Sequence, residues 1–76
     1  MNRTEALGAA RRLMRGFVGA PDPRRHAQQL YGVLVHAEGW SKAEQDLIVA
    51  LGTWLSERPN VGELKKRCDD TLQRLA

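Results

Sequence analysis

The chain has 76 residues, 42% apolar, 28% charged and 5% aromatic, with a net charge of +3. This is one small domain of ordinary folded composition, near the lower edge of what folds alone. No run approaches the roughly 18 apolar residues of a membrane helix, and the single Cys68 excludes an internal disulfide and any zinc-finger pattern.

Caps and apolar periodicity divide the chain into four helices. Asn2 with Glu5 three residues on predicts a first helix over 2–18, stopped by Gly19. Ala6, Leu7, Ala10, Leu13, Met14, Phe17 and Val18 share an arc of about 140°, with Arg11, Arg12 and Arg15 beside it. Pro21 and Pro23 fill the turn. Asp22 then caps a second helix over 23–38, with Pro23 at its first position and Gly39 as its stop. The apolar arc here is wider, about 200°, and holds Ala27, Leu30, Tyr31, Val33, Leu34, Val35 and Ala37. Such a helix is either the most buried of the set or shows an apolar edge to a partner. Helix 4 or a second copy of the chain, in a homodimer, would cover it.

Ser41 with Glu44 opens a third helix over 42–57, ended by Pro59, with Ala43, Leu47, Ile48, Ala50, Leu51, Trp54 and Leu55 on one face. Trp40, just before the cap, is expected to fold onto the first turns of this helix, towards Leu47 or Ile48. Asn60 with Glu63 repeats the capping pair for a fourth helix over 61–75. Its stripe of Val61, Leu64, Cys68, Thr71, Leu72 and Leu75 is narrow, so it is expected to pack last, at the periphery. Gly8, Gly16, Gly32 and Gly52 fall inside helices and are read as sites of close crossing. No segment alternates as a strand does. The expected fold is all-α, a compact bundle of four short helices with antiparallel neighbours, in one domain over 1–76.

The run Leu34-Val35-His36-Ala37-Glu38-Gly39-Trp40-Ser41-Lys42-Ala43-Glu44 resembles the helix–turn–helix joint of TerB-like tellurite-resistance domains, which carry an acid-Gly-apolar-Ser-x-x-Glu run between two helices. A capping box that follows a helix-ending glycine produces the same run from local chemistry alone. The spacing of a DNA-binding helix-turn-helix is not met at Gly39 or Gly62, because Val35 and Arg58 stand where a small residue is needed.

No catalytic constellation is visible. Cys68 lies in the apolar stripe of the fourth helix between Leu64 and Leu72, which reads as core despite the nearby Lys65, Lys66 and Arg67. His26 and His36 stand about 80° apart around one helix, so a single metal ion cannot readily use both. There is no H-E-x-x-H, P-loop or G-x-G-x-x-G. Neither an enzyme nor a cofactor or metal site is expected.

Charge supplies the functional lead. Residues 1–25 carry Arg3, Arg11, Arg12, Arg15, Arg24 and Arg25 against Glu5 and Asp22, a balance of +4. Residues 26–60 balance at −2 and the tail at +1. Arg24 and Arg25 open the second helix, where the macrodipole disfavours cations, which points to an anion at that place. Tyr31 and Val35, one turn apart at the edge of the wide apolar arc, are candidate contact residues. The partner-binding set is therefore Arg11, Arg15, Arg24, Arg25, Tyr31 and Val35, with little expected of Lys65 and Lys66 among their acidic neighbours. The expected function is a small non-enzymatic module that docks on the acidic face of a larger protein and regulates or inhibits it. Nucleic acid bound through the arginine patch is the alternative partner. The unpaired cysteine points to the cytoplasm, and nine Arg against three Lys to a GC-rich bacterial or phage genome.

Overall fold

The helices form where the caps place them. In the computed structural model, which describes residues 1–76, they are α1 (Arg3–Arg15), α2 (Pro23–Val35), α3 (Lys42–Ser56) and α4 (Val61–Leu75). Two capping boxes close in both directions. The Glu5 amide donates to the Asn2 side chain at 2.8 Å and the Asn2 amide to the Glu5 carboxylate at 3.0 Å. At the start of α3 the Glu44 amide donates to the Ser41 hydroxyl oxygen at 3.2 Å and the Ser41 amide to the Glu44 carboxylate at 3.0 Å. Asp22 accepts from the Arg25 amide at 3.1 Å and caps α2. At α4 the expected box does not form: Asn60 Oδ1 accepts from Gly62, two residues on, at 2.8 Å, and caps the helix without help from the Glu63 side chain.

Two helices stop three residues short of the glycines expected to end them. Continuing α1 would require the Phe17 amide to bond the Leu13 carbonyl. That carbonyl instead accepts from the Gly16 amide and from His26 Nε2–H, while Phe17 donates to Met14. Phe17 turns inward and meets the His26 ring edge-on at 5.0 Å, and Val18 is left 76% exposed, contrary to its assignment to the apolar face. Continuing α2 would require the Glu38 amide to bond Leu34. Glu38 donates instead to the Met1 carbonyl at 3.0 Å, and the Leu34 carbonyl is taken by the Trp40 indole N–H at 2.8 Å. Trp40, expected as a staple on α3, therefore closes the end of α2.

The core is built on a diagonal. α2 packs against α1, α3 and α4, and α4 packs against α1, α2 and α3, whereas the backbones of α1 and α3 do not meet. α2 gives Ala27, Leu30 and Leu34 to the interior; α4 gives Leu64, Cys68, Thr71, Leu72 and Leu75, more than any other helix. The expectation of a peripheral α4 is thus overturned. Its apolar stripe is narrow because it is aimed along a seam between three neighbours, and its side chains from Leu64 to Leu75 fill that seam. The wide arc of α2 has the same origin, since α2 too meets three neighbours: Tyr31 lies on α3, and Val35 at the edge of the arc stays exposed. Val61, at the outer edge of the α4 stripe, stays exposed, as do Ala43 and Ala50 on α3.

Of the four helical glycines, only Gly52 marks a close crossing. A Cβ there would lie 2.5 Å from Tyr31 Cζ, so the aromatic ring of α2 is seated directly on the α3 backbone. A Cβ at Gly32 would meet nothing within 4 Å, Gly8 faces only the Arg12 side chain, and Gly16 is the cap of α1.

Arg3 joins the elements that α2 and α4 leave apart. Its guanidinium donates to Glu44 Oε2 at 2.7 and 3.0 Å and to the Leu75 carbonyl at 2.6 Å, and it lies 5.7 Å from the centre of the Trp40 ring. One side chain thus ties the start of α1 to the start of α3, the end of α4 and the α2–α3 joint. The Arg3 hydrogen bond, helped by the Ser41 amide, holds the Glu44 carboxyl down from its ordinary 4.5 to about 2, and the same bond raises the Arg3 pKa further. A lowered folded-state pKa stabilises the fold above the unfolded value, and that stability is lost as pH falls through the folded one. We therefore expect wild-type melting temperature to fall between about pH 4.5 and 2 by more than that of Glu44→Gln, which lacks this titration. Melting curves followed by circular dichroism across that range check it; equal acid sensitivity in the two proteins contradicts it.

Candidate functional site

The two ends of the bundle differ in charge. Short connections make neighbours antiparallel, so the end of α1, the start of α2, the end of α3 and the start of α4 share one end. Contacts bear this out: His26 reaches the Leu13 carbonyl, and Arg24 donates to the Pro59 carbonyl at 2.8 Å. That end collects Arg11, Arg12, Arg15, Arg24, Arg25, Arg58, Lys65 and Lys66 against Asp22, Glu57 and Glu63. The opposite end holds Glu5, Glu38, Glu44 and Asp46 against Arg3, Lys42 and Arg74, while Arg67, Asp69 and Asp70 sit about the middle of α4, Asp69 bordering the basic end. Both ion pairs of the protein, Arg3–Glu44 and Lys42–Asp46, lie at the acidic end. No cation of the basic end has an acidic partner within 4.0 Å.

The arginines singled out from the sequence fall into three places. Arg15, with Met14, lines an open groove between α1 and α4, facing Gly62, Lys65, Lys66 and Asp69. Arg11 is one turn earlier on α1 and exposed. Arg24 borders a second depression with Gln28, Ser56, Arg58 and Pro59. Arg25 borders a third with Pro21, Asp22, His26 and Gln29. Arg24 and Arg25 occupy the first turn of α2, where the macrodipole opposes a cation by about 0.3–1 kcal/mol. For Arg24 the compensation is visible: its bond to Pro59 fixes the α3–α4 connection. Its position thus does not require an external anion. Arg25, Arg15 and Arg11 have no such partner.

Tyr31 and Val35 stand apart from the arginines. Val35 is ten residues beyond Arg25 on α2, about 15 Å along the axis, and it is 41% exposed. Tyr31 is half-buried with its ring on Gly52, a packing role.

The sequence-based set leaves out Arg58 and expects little of Lys65 and Lys66; the structure places all three at the basic end. Counting charge along the chain dilutes Lys65 and Lys66 with Glu63, Asp69 and Asp70. The loop lengths held the missing signal, because they set the start of α4 beside the end of α1. Arg58 follows the α3 cap with a left-handed φ of 54°, a conformation that favours glycine. That conformation costs a non-glycine residue about 1 kcal/mol.

The two histidines and the cysteine each have a structural contact or a buried place. His26 donates to a helix-ending carbonyl, and His36 Nδ1–H donates to its own helix at Gly32 at 2.8 Å. Cys68 has no exposed surface, and burial pushes its thiol up to about 11, against a smaller opposing pull from Arg67. No group of three or more His, Cys, Asp or Glu gathers as a metal site would need. No family model, no curated protein and no solved structure matches the chain. Its functional reading thus rests on the geometry of its own residues.

Cys68 offers a direct check of this burial. A thiol reagent at pH 7 is expected to modify the native protein at least 100-fold more slowly than the chain in denaturant, because both exposure and thiolate are lacking. Rapid labelling of the folded protein would show that α4 does not seal the core.

Proposed function

We propose that this chain is a small non-enzymatic binding module that docks, by the basic end of its bundle, on an acidic face of a larger protein and regulates or inhibits it. The observation that carries the reading is the gathering of unpaired cations from α1, α2 and α4 at one end, while both ion pairs lie at the other. α4 alone is about 22 Å long, more than twice the screening length of about 8 Å at physiological salt. The acidic end therefore does little to neutralise the basic one in solution.

Two features favour a protein face over nucleic acid. Val18 and Val61 are exposed at or beside the basic end, 76% and 43%, where an apolar partner surface would cover them and a phosphate backbone would not. The aromatic rings are buried or packed against the core, and the part-exposed Trp54 lies under the Arg67 guanidinium at 5.3 Å, so no exposed row of rings offers a stacking platform for bases. The non-enzymatic part of the reading rests on the structural employment of His26, His36 and Cys68. The reduced thiol of Cys68 fits a cytoplasmic setting. No helix is long and apolar enough to cross a membrane.

The test reverses the free arginines and spares Arg24, which holds a loop. Arg15→Glu with Arg25→Glu should lower recovery of the specific partner from a host lysate at least tenfold, with melting temperature changed by only a few degrees. Binding to duplex DNA should stay weak at all salt concentrations. Duplex binding that falls steeply with salt and is weakened about equally for all sequences by the same substitutions would assign the patch to phosphates instead. Unchanged capture of every partner by the variant would make it a solvated face and overturn the reading.

A further inference from the structure

Of the three depressions at the basic end, the open groove between α1 and α4 is the most voluminous. It is an open depression of about 490 Å³ lined by Met14, Arg15, Gly62, Lys65, Lys66 and Asp69. Its cations come from two helices: Arg15 from the last turn of α1, Lys65 and Lys66 from the second turn of α4. None of the three forms an ion pair or a hydrogen bond within the protein, so each presents its charge outward. Met14 is half-buried against the core and supplies an apolar, adaptable wall. Gly62 leaves the near end without a side chain, so a backbone can come close to the first turn of α4.

From this arrangement we propose that the groove takes an extended, carboxylate-rich segment of the partner protein, with one apolar side chain against Met14 and flanking acids on Arg15, Lys65 and Lys66. The inference rests on the docking function proposed above and narrows it to one place and one ligand chemistry. Asp69 gives the site a direction. It stands at the far end, one turn beyond Lys65, where it accepts a hydrogen bond from Gln73 at 3.1 Å. Its charge repels a carboxylate there, so the acidic segment enters over Gly62 and ends before Asp69. The exposed Val61 flanks that entrance. Phosphate would find the same cations but would have no use for the Met14 wall.

The probe is a synthetic twelve-residue peptide in which Glu and Asp flank a single Leu, titrated into the full ¹⁵N-labelled chain. A peptide with Lys in place of every acid is the control. Amide shifts are expected to concentrate at Arg15, Gly62, Lys65 and Lys66, and to be absent with the control peptide. Lys65→Glu with Lys66→Glu should weaken the acidic peptide at least tenfold, whereas Lys42→Glu at the opposite end should change it less than twofold. Asp69→Asn should strengthen it, and this gain is not available to a variant that merely fails to fold. If shifts cluster at Arg25 and Arg58 and the Lys65/Lys66 variant binds as before, the groove assignment falls while docking by the basic end stands. If duplex DNA competes the peptide off at lower concentration, the carboxylate occupant falls. If neither probe shifts any residue of the basic end, groove and docking function fall together.

Discussion

Everything in this small bundle depends on α4 lying against α2. α1 and α3 do not touch through their backbones, so neither can cover the other's apolar face. The side chains of α4 from Leu64 to Leu75 close the seam between them, and the wide apolar arc of α2 is the surface they close it onto. Arg3 then completes the arrangement from the outside. It spans the α1–α3 gap to Glu44 and takes the carbonyl at the very end of α4, where a helix normally leaves its last acceptors to water. A chain of this size supplies only a few kcal/mol from its core, so a residue that ties four segments at once carries unusual weight.

The same geometry makes the basic end. Antiparallel packing places the start of α4 beside the end of α1, and so places Lys65 and Lys66 across a groove from Arg15. Neither helix alone has a site: the cations of α1 flank its apolar arc, and those of α4 are surrounded in sequence by acids. The basic groove arises because the two helices meet with their charged flanks on one side. Its rigidity is therefore the rigidity of α4. If α4 detached, the core seam and the groove would be lost in one step.

How much of this was legible in the sequence differs from element to element for physical reasons. α3 was legible nearly to the residue, because Ser41, Glu44 and Pro59 act within one turn of its ends. The stops of α1 and α2 were not, because distant donors set them: His26 on the Leu13 carbonyl, Trp40 on the Leu34 carbonyl, and the Met1 carbonyl on the Glu38 amide. Periodicity identified the buried stripe of α4 from Leu64 to Leu75 correctly, but arc width misjudged its importance, since a narrow stripe in a three-sided seam buries as fully as a broad one. At the site, Arg11, Arg15 and Arg25 were visible from composition. The structural use of Arg24 was hidden, because the Pro59 carbonyl lies 35 positions away. Lys65 and Lys66 were hidden by their own neighbours in the chain.

Native-state amide hydrogen exchange measures the central dependence most directly. Amides from Leu64 to Leu72 in α4 and from Leu30 to Leu34 in α2 should open with the same free energy, equal to that of global unfolding, because the diagonal comes apart as a unit. Exchange of the α4 amides in a separate step of lower free energy, with α1 to α3 still protected, would contradict this account and return α4 to the periphery.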